Sequence, residues 1–290
     1  MNIKSISAFV LKLIGLSIAA FVCLSVGSTV TGLHDLAKRS PEQASATLTA
    51  TLGVCVIYAI TLAYPIVRSR WTGLKLMLTM AVVYYGMNTF MSQIESAVFL
   101  PHVLPEGMLA KLFINGAVVG GLLAPLAVLI MGKLNSHETS EDNARLVMPA
   151  SEWAWRMFVC ALLYVVLYYL FGYFVAWQNP DVRALYSGLE MPAWLPLFQF
   201  MRGLMWAALT LPITRMMKGD WWQAGVANGL LMAMLMNAAL LIPNNPIMSD
   251  SVRMSHFIET ATSNFIFGFA ATWLLTWRPL RVLAQAQATK

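Results

Sequence analysis

Charged residues inside long apolar runs are where this chain has chemistry to offer, because a charge at membrane depth costs several kcal/mol and persists where it has a partner or a task. Glu95, Arg202 and Glu259 are the clearest instances, with His102 and His256 close to the ends of such runs. A carboxylate in that setting can bind a proton or a cation. An arginine can hold an anionic group or lower the pKa of a neighbouring carboxyl, and a histidine can relay a proton or ligate a metal.

The spacing of these residues groups them by helix face. Tyr85, Asn88, Ser92, Glu95 and His102 recur at intervals of three, four or seven, which a helix of 3.6 residues per turn places on one side. Gln199 and Arg202 share a face, as do His256, Glu259, Thr260 and Ser263, and Asn115 and Asn237 add amides. The expected binding residues are therefore Glu95, Arg202, His256, Glu259, Asn88, Ser92 and Gln199.

Three kinds of function compete for this set. In the first it is a purely structural ion-pair network, as in an assembly subunit or sensor, with Arg202 bridging Glu95 and Glu259. The second, which we favour, is a small transporter or solute-binding membrane protein, with Glu95 or Glu259 as the protonatable ligand and Arg202 as counter-charge. The third is an intramembrane enzyme, metal-dependent in one version through His102, His256, Glu95 and Glu259. His256 and Glu259 form only an HxxE pair, and the chain has neither an HExxH helix nor a GxSxG elbow. No cofactor is expected.

The elements that must hold these residues follow from composition. Of 290 residues, 59% are hydrophobic and 11% charged, whereas soluble domains carry about 25% charged residues. So few charges cannot cover a water-exposed surface, and the expected partner is the lipid bilayer. The net charge of +6 comes from Lys and Arg in short connections, with no basic helix face of the kind nucleic acid requires. Cys23, Cys55 and Cys160 fall inside apolar runs far apart, which argues against a disulfide framework or a cysteine metal site.

A bilayer core needs about 20 apolar residues per helix. Runs of that length lie near 8–31, 45–66, 74–100, 108–132, 154–177, 194–216, 223–243 and 256–276, predicting an all-α bundle of about eight spans. The first run is longer than a signal-peptide core and reads as an uncleaved span. The polar stretch 134–152 separates a first half, 1–133, from a second, 153–290.

Basic residues are more numerous in the connections that share a side with the N-terminus, which places both termini in the cytoplasm. Glu95, Arg202, His256 and Glu259 then fall in the outer half of the membrane. Short loops suggest a bacterial cytoplasmic membrane. A repeat is also visible. Leu62–Arg68 resembles Leu209–Arg215, Glu95–Pro101 aligns with Asn237–Pro243, and Phe113–Asn115 with Phe257–Glu259, so the halves are expected to be parallel four-helix repeats. Gly116, Gly120 and Gly121 form a small-residue face suited to a close helix contact.

Overall fold

The computed structural model describes residues 3–36, 41–100, 104–135, 146–244 and 248–277. His102 and the middle of the 134–152 linker lie outside them. The described residues are helical and form no strand. In order the helices are α1 (Ile3–Thr31), α2 (Pro41–Val67), α3 (Gly73–Tyr84), α4 (Met91–Phe99), α5 (Met108–Ile130), α6 (Ala150–Phe174), α7 (Pro180–Leu185), α8 (Leu195–Met216), α9 (Trp221–Leu241) and α10 (Asp250–Thr276).

Among the described residues five stretches are long and apolar enough to cross a membrane: Ser5–Thr31, Ala44–Val67, Met108–Ile130, Ala150–Gln178 and Trp221–Leu241. The other three expected spans fall short in two ways. A π-helical turn at Tyr85–Phe90 divides one into the shorter helices α3 and α4, whereas Gln199 and Arg202 interrupt the apolar run of α8, and Arg253, His256 and Glu259 that of α10.

Hydrogen bonds between helix ends fix an up-and-down arrangement. At one end, Lys12 near the start of α1 donates to the Met131 carbonyl after α5, and Gly73 N, opening α3, donates to the Lys133 carbonyl. There too, the corner after α2 pairs with the corner after α8: Arg70 N donates to Met216 O at 2.7 Å and Lys218 N to Arg68 O at 2.9 Å. Arg156 at the start of α6 donates to the carbonyls of Leu274, Leu275 and Trp277 at the end of α10. At the opposite end, Arg253 of α10 donates to the carbonyls of Leu241, Ile242 and Pro243 that close α9. Both arginines are buried and satisfy the acceptors that a helix C-terminus leaves unpaired.

Glycines let the helices approach. A Cβ on Gly203 would come within 2.8 Å of the Ala161 Cα across the α6–α8 contact, and one on Gly268 within 2.8 Å of the Asn228 backbone across α9–α10. Of the expected small-residue face on α5, Gly116 meets Thr89 and Gly120 meets Tyr84, while Gly121 faces open space. The corners before α3 and α9 each turn on a glycine with positive φ, Gly73 at 57° and Gly219 at 89°.

Candidate functional site

The α3–α4 segment delivers Glu95 through an unusual backbone. The π turn at Tyr85–Phe90 takes up an extra residue, so helical phase does not carry unchanged from α3 into α4. Ser92, Glu95 and Ser96 face a cavity. Asn88 does not: its amide donates to Tyr58 Oη and to the Leu235 carbonyl, both at 2.6 Å. The single face expected to carry Asn88 with Ser92 and Glu95 is divided by this turn.

Arg202 of α8 reaches Glu95 as a two-pronged fork, Nη1 to Oε1 at 2.8 Å and Nη2 to Oε2 at 2.6 Å. Nη1 also donates to Gln199 Oε1 at 2.8 Å and Nη2 to the Met91 carbonyl at 3.2 Å. The guanidinium lies over the rings of Tyr164 and Phe198, and Arg202 is 0% exposed. Paired, charge-assisted bonds of this kind are the stronger class. The expected bridge from Arg202 to both carboxylates is not formed. Arg202 serves Glu95, and Glu259 pairs instead with His256, whose Nδ1 stands 2.9 Å from Oε2.

His256 and Glu259 sit well inside α10, because the helix begins at Asp250, capped by the Ser249 side chain. Tyr186 Oη is 3.4 Å from His256 Nε2. Burial, reinforced by the charges of Glu95 and Glu259, pushes the Tyr186 phenol above its ordinary range, so it stays a neutral donor. With one ring nitrogen of His256 against Glu259 and the other against Tyr186, the three groups form one hydrogen-bonded chain. Thr260 Oγ1 donates to Asn237 Oδ1 at 2.8 Å, adding α9 to the same wall.

These groups border a cavity of about 680 Å³ between α4, α6, α8, α9 and α10. Its walls are largely aromatic and aliphatic: Phe99, Tyr168, Tyr173, Trp177 and Tyr186 with Leu167 and Leu240. The short helix α7 forms part of the rim. Asn179 caps it, accepting from Asp181 N, and its amide donates to the hydroxyls of Ser251 and Ser255 on α10 at 2.8 and 2.7 Å. Val182 and Tyr186 pack there against Ala176 and Val252.

Comparison with known protein families, with curated proteins and with solved structures gives no match. The geometry therefore stands alone. Of the expected binding residues, Glu95, Ser92, His256 and Glu259 border the cavity, Gln199 and Arg202 stand behind Glu95, and Asn88 belongs to a separate contact. Of the four-ligand metal set, His102 lies outside the described residues. Both oxygens of Glu95 are engaged by Arg202, and no group of three or more His, Cys, Asp or Glu positioned to hold a metal exists among the described residues.

Sequence reasoning missed Tyr186 and α7, since a polar hexapeptide between two apolar runs carries no periodic signal. Tyr164, Tyr168, Tyr169 and Tyr173 of α6 all border the cavity, which only packing decides.

Proposed function

We propose that the chain crosses the bilayer eight times as two parallel four-helix repeats and binds and moves a small solute through the cavity beside Glu95 and Glu259. The observation that carries this reading is an ample, mostly apolar cavity with two carboxylates on its wall, set among helices of an otherwise lipid-compatible bundle. Pockets of about 300–1,000 Å³ with a few placed polar groups are the usual form of small-molecule sites.

Several relationships support the repeat. Pro65 and Pro212 occupy α2 and α8 one turn before their corners, and those corners pair with each other through Ser69 and Met217. A second cavity of about 420 Å³ lies among α1, α2, α5 and α9. An axis that exchanges the halves carries α6, α8, α10 and α4 onto those same elements. Across it Glu259 corresponds to Asn115, which borders the second cavity, and Glu95 to Asn237, which borders the first. Among the described residues that border the second cavity there is His34 but no carboxylate, which favours the first as the working site.

The orientation is argued, among the described residues, from Lys12, Arg68, Arg70, Lys75, Lys133, Arg156, Arg215 and Lys218 at one end, against Lys111, Arg183 and Arg253 at the other, where the sequence also places Lys38 and Arg39. That imbalance supports cytoplasmic termini and a cavity on the outer side.

Gly172 offers a direct test. It borders the cavity, and a Cβ there would meet Glu259 Oε1 at 3.8 Å, an ordinary contact. Phenylalanine at this position fills space without displacing backbone. Thermal unfolding of the solubilised protein against a panel of organic solutes should show stabilisation by at least one compound, lost in Gly172→Phe. A panel that stabilises neither protein, or both equally, overturns the reading. The stabilising solute should then be taken up by proteoliposomes without chemical change. Its conversion to product would favour the second reading, an intramembrane enzyme, which draws on the Tyr186–His256–Glu259 chain as a proton acceptor.

A further inference from the structure

The signs of the charges around the cavity narrow the solute. Arg202 is the deep cation expected to hold an anionic group, yet both of its terminal nitrogens are engaged by Glu95 and it is fully buried behind that carboxylate. Among the described residues bordering the cavity there is no lysine or arginine. What the guanidinium does is neutralise Glu95 from behind. Among the described residues the side chain that meets the Glu259 carboxylate is His256, a single imidazole shared with Tyr186. An anion entering this space would meet two carboxylates in a poorly screened environment and no lysine or arginine.

The remainder of the wall suits a particular kind of cation. A bare metal ion needs several oxygen or nitrogen ligands at close range, and among the described residues no cluster of three acidic, histidine or cysteine side chains is positioned for one. The volume of about 680 Å³ is also far larger than a dehydrated ion. Aromatic faces, in contrast, attract diffuse organic cations within about 6 Å of the ring centroid. Phe99, Tyr168, Tyr173, Trp177 and Tyr186 supply such rings around Glu95 and Glu259. Leu167, Met191 and Leu240 leave apolar surface for the rest of the molecule.

Resting on the reading of this cavity as a solute site, we propose that its ligand is an organic monocation with an apolar body, an amine or an onium ion, paired with Glu259 and enclosed by the aromatic wall.

Equilibrium dialysis of the full-length solubilised protein against matched micelles tests this with three probes of similar bulk: tetraphenylphosphonium, tetraphenylborate and triphenylphosphine oxide. Tetraphenylphosphonium should bind above the micelle blank. Glu259→Gln should weaken it at least tenfold and Glu259→Asp by much less, with both variants monodisperse. Tetraphenylborate should not bind. Equal binding of the borate, or unchanged binding of the phosphonium by folded Glu259→Gln, overturns the proposal.

If Glu259→Gln does not fold, Tyr173→Leu at the rim decides. It should weaken the phosphonium at least threefold and leave the phosphine oxide unchanged, and equal effects on both refute the cation. Binding of the borate or the oxide alone, abolished by Gly172→Phe, would retain the solute site and discard its charge preference. No binding of any probe to the wild type would discard both.

Discussion

Arg202 and Glu95, 107 residues apart in sequence, meet as a two-bond fork in which the arginine is wholly buried and the glutamate side chain is 25% exposed. The exposed member faces the cavity and the buried member faces the protein. Removing one charge of such a pair strands the other, at a cost of about 3–5 kcal/mol. Arg202→Met should therefore lower the unfolding midpoint sharply in detergent. Glu95→Gln combined with Arg202→Met should recover more than half of that loss. Additive losses in this cycle would show that the two side chains are not energetically coupled.

The helix-closing arginines make a contrasting prediction. Arg156 and Arg253 each donate to three carbonyls at a helix end, and neither side chain touches Glu95 or Glu259. Replacing either by Gln should cost about 1–3 kcal/mol, the usual penalty for buried acceptors left unpaired. Solute affinity in the folded fraction should be unchanged, as measured by the same thermal-shift panel at a temperature below both midpoints.

Helix packing separates glycines that share a sequence pattern. Gly268→Ala must push apart two backbones at α9–α10, an overpacking that costs about 1–3 kcal/mol. Gly121→Ala points its methyl into open space and gains helix propensity, so stability should hold or rise slightly. Midpoints from parallel unfolding curves distinguish the two, and an equal loss at both positions would contradict the contact geometry.

Asn88 and Ser92 test the effect of the π turn. Asn88→Leu breaks the tie to Tyr58 and Leu235 and should lower stability while sparing solute affinity. Ser92→Ala, on the cavity side, should change affinity more than stability. A reversed pattern would mean that α3 and α4 share one continuous face after all.

Orientation is measurable because the native cysteines at 23, 55 and 160 are all buried. A cysteine replacing Ser187, exposed just beyond α7, should react with an impermeant maleimide in intact cells. A cysteine replacing exposed Arg215 should react only after permeabilisation. Labelling in the opposite order would invert the proposed topology.

The sequence by itself determined the helical class, the approximate limits of eight long helical segments and which side chains were polar where lipid-compatible surface was expected. These properties are local: hydropathy and a 3.6-residue period depend on neighbours a few positions away, although the ends moved by up to six residues, α10 beginning at Asp250 where 256 was expected. That is why Glu95, His256 and Glu259 could be singled out, and why Gln199 could be placed with Arg202 on one face.

Only the tertiary structure decided partners and facing. Whether Arg202 serves Glu95 or Glu259 depends on the rotation and crossing of α4, α8 and α10, which no short-range pattern encodes. The π turn that removes Asn88 from the cavity trades one hydrogen-bond register for another, and it leaves no clear mark in the run Tyr85–Phe90. The hexapeptide α7, with Tyr186 just after it, is held by contacts to α10 some seventy residues away. The sign of the cavity, a carboxylate face with its arginine turned inward, likewise belongs to the folded bundle, since composition records the charges and only packing records which of them meets the space between the helices.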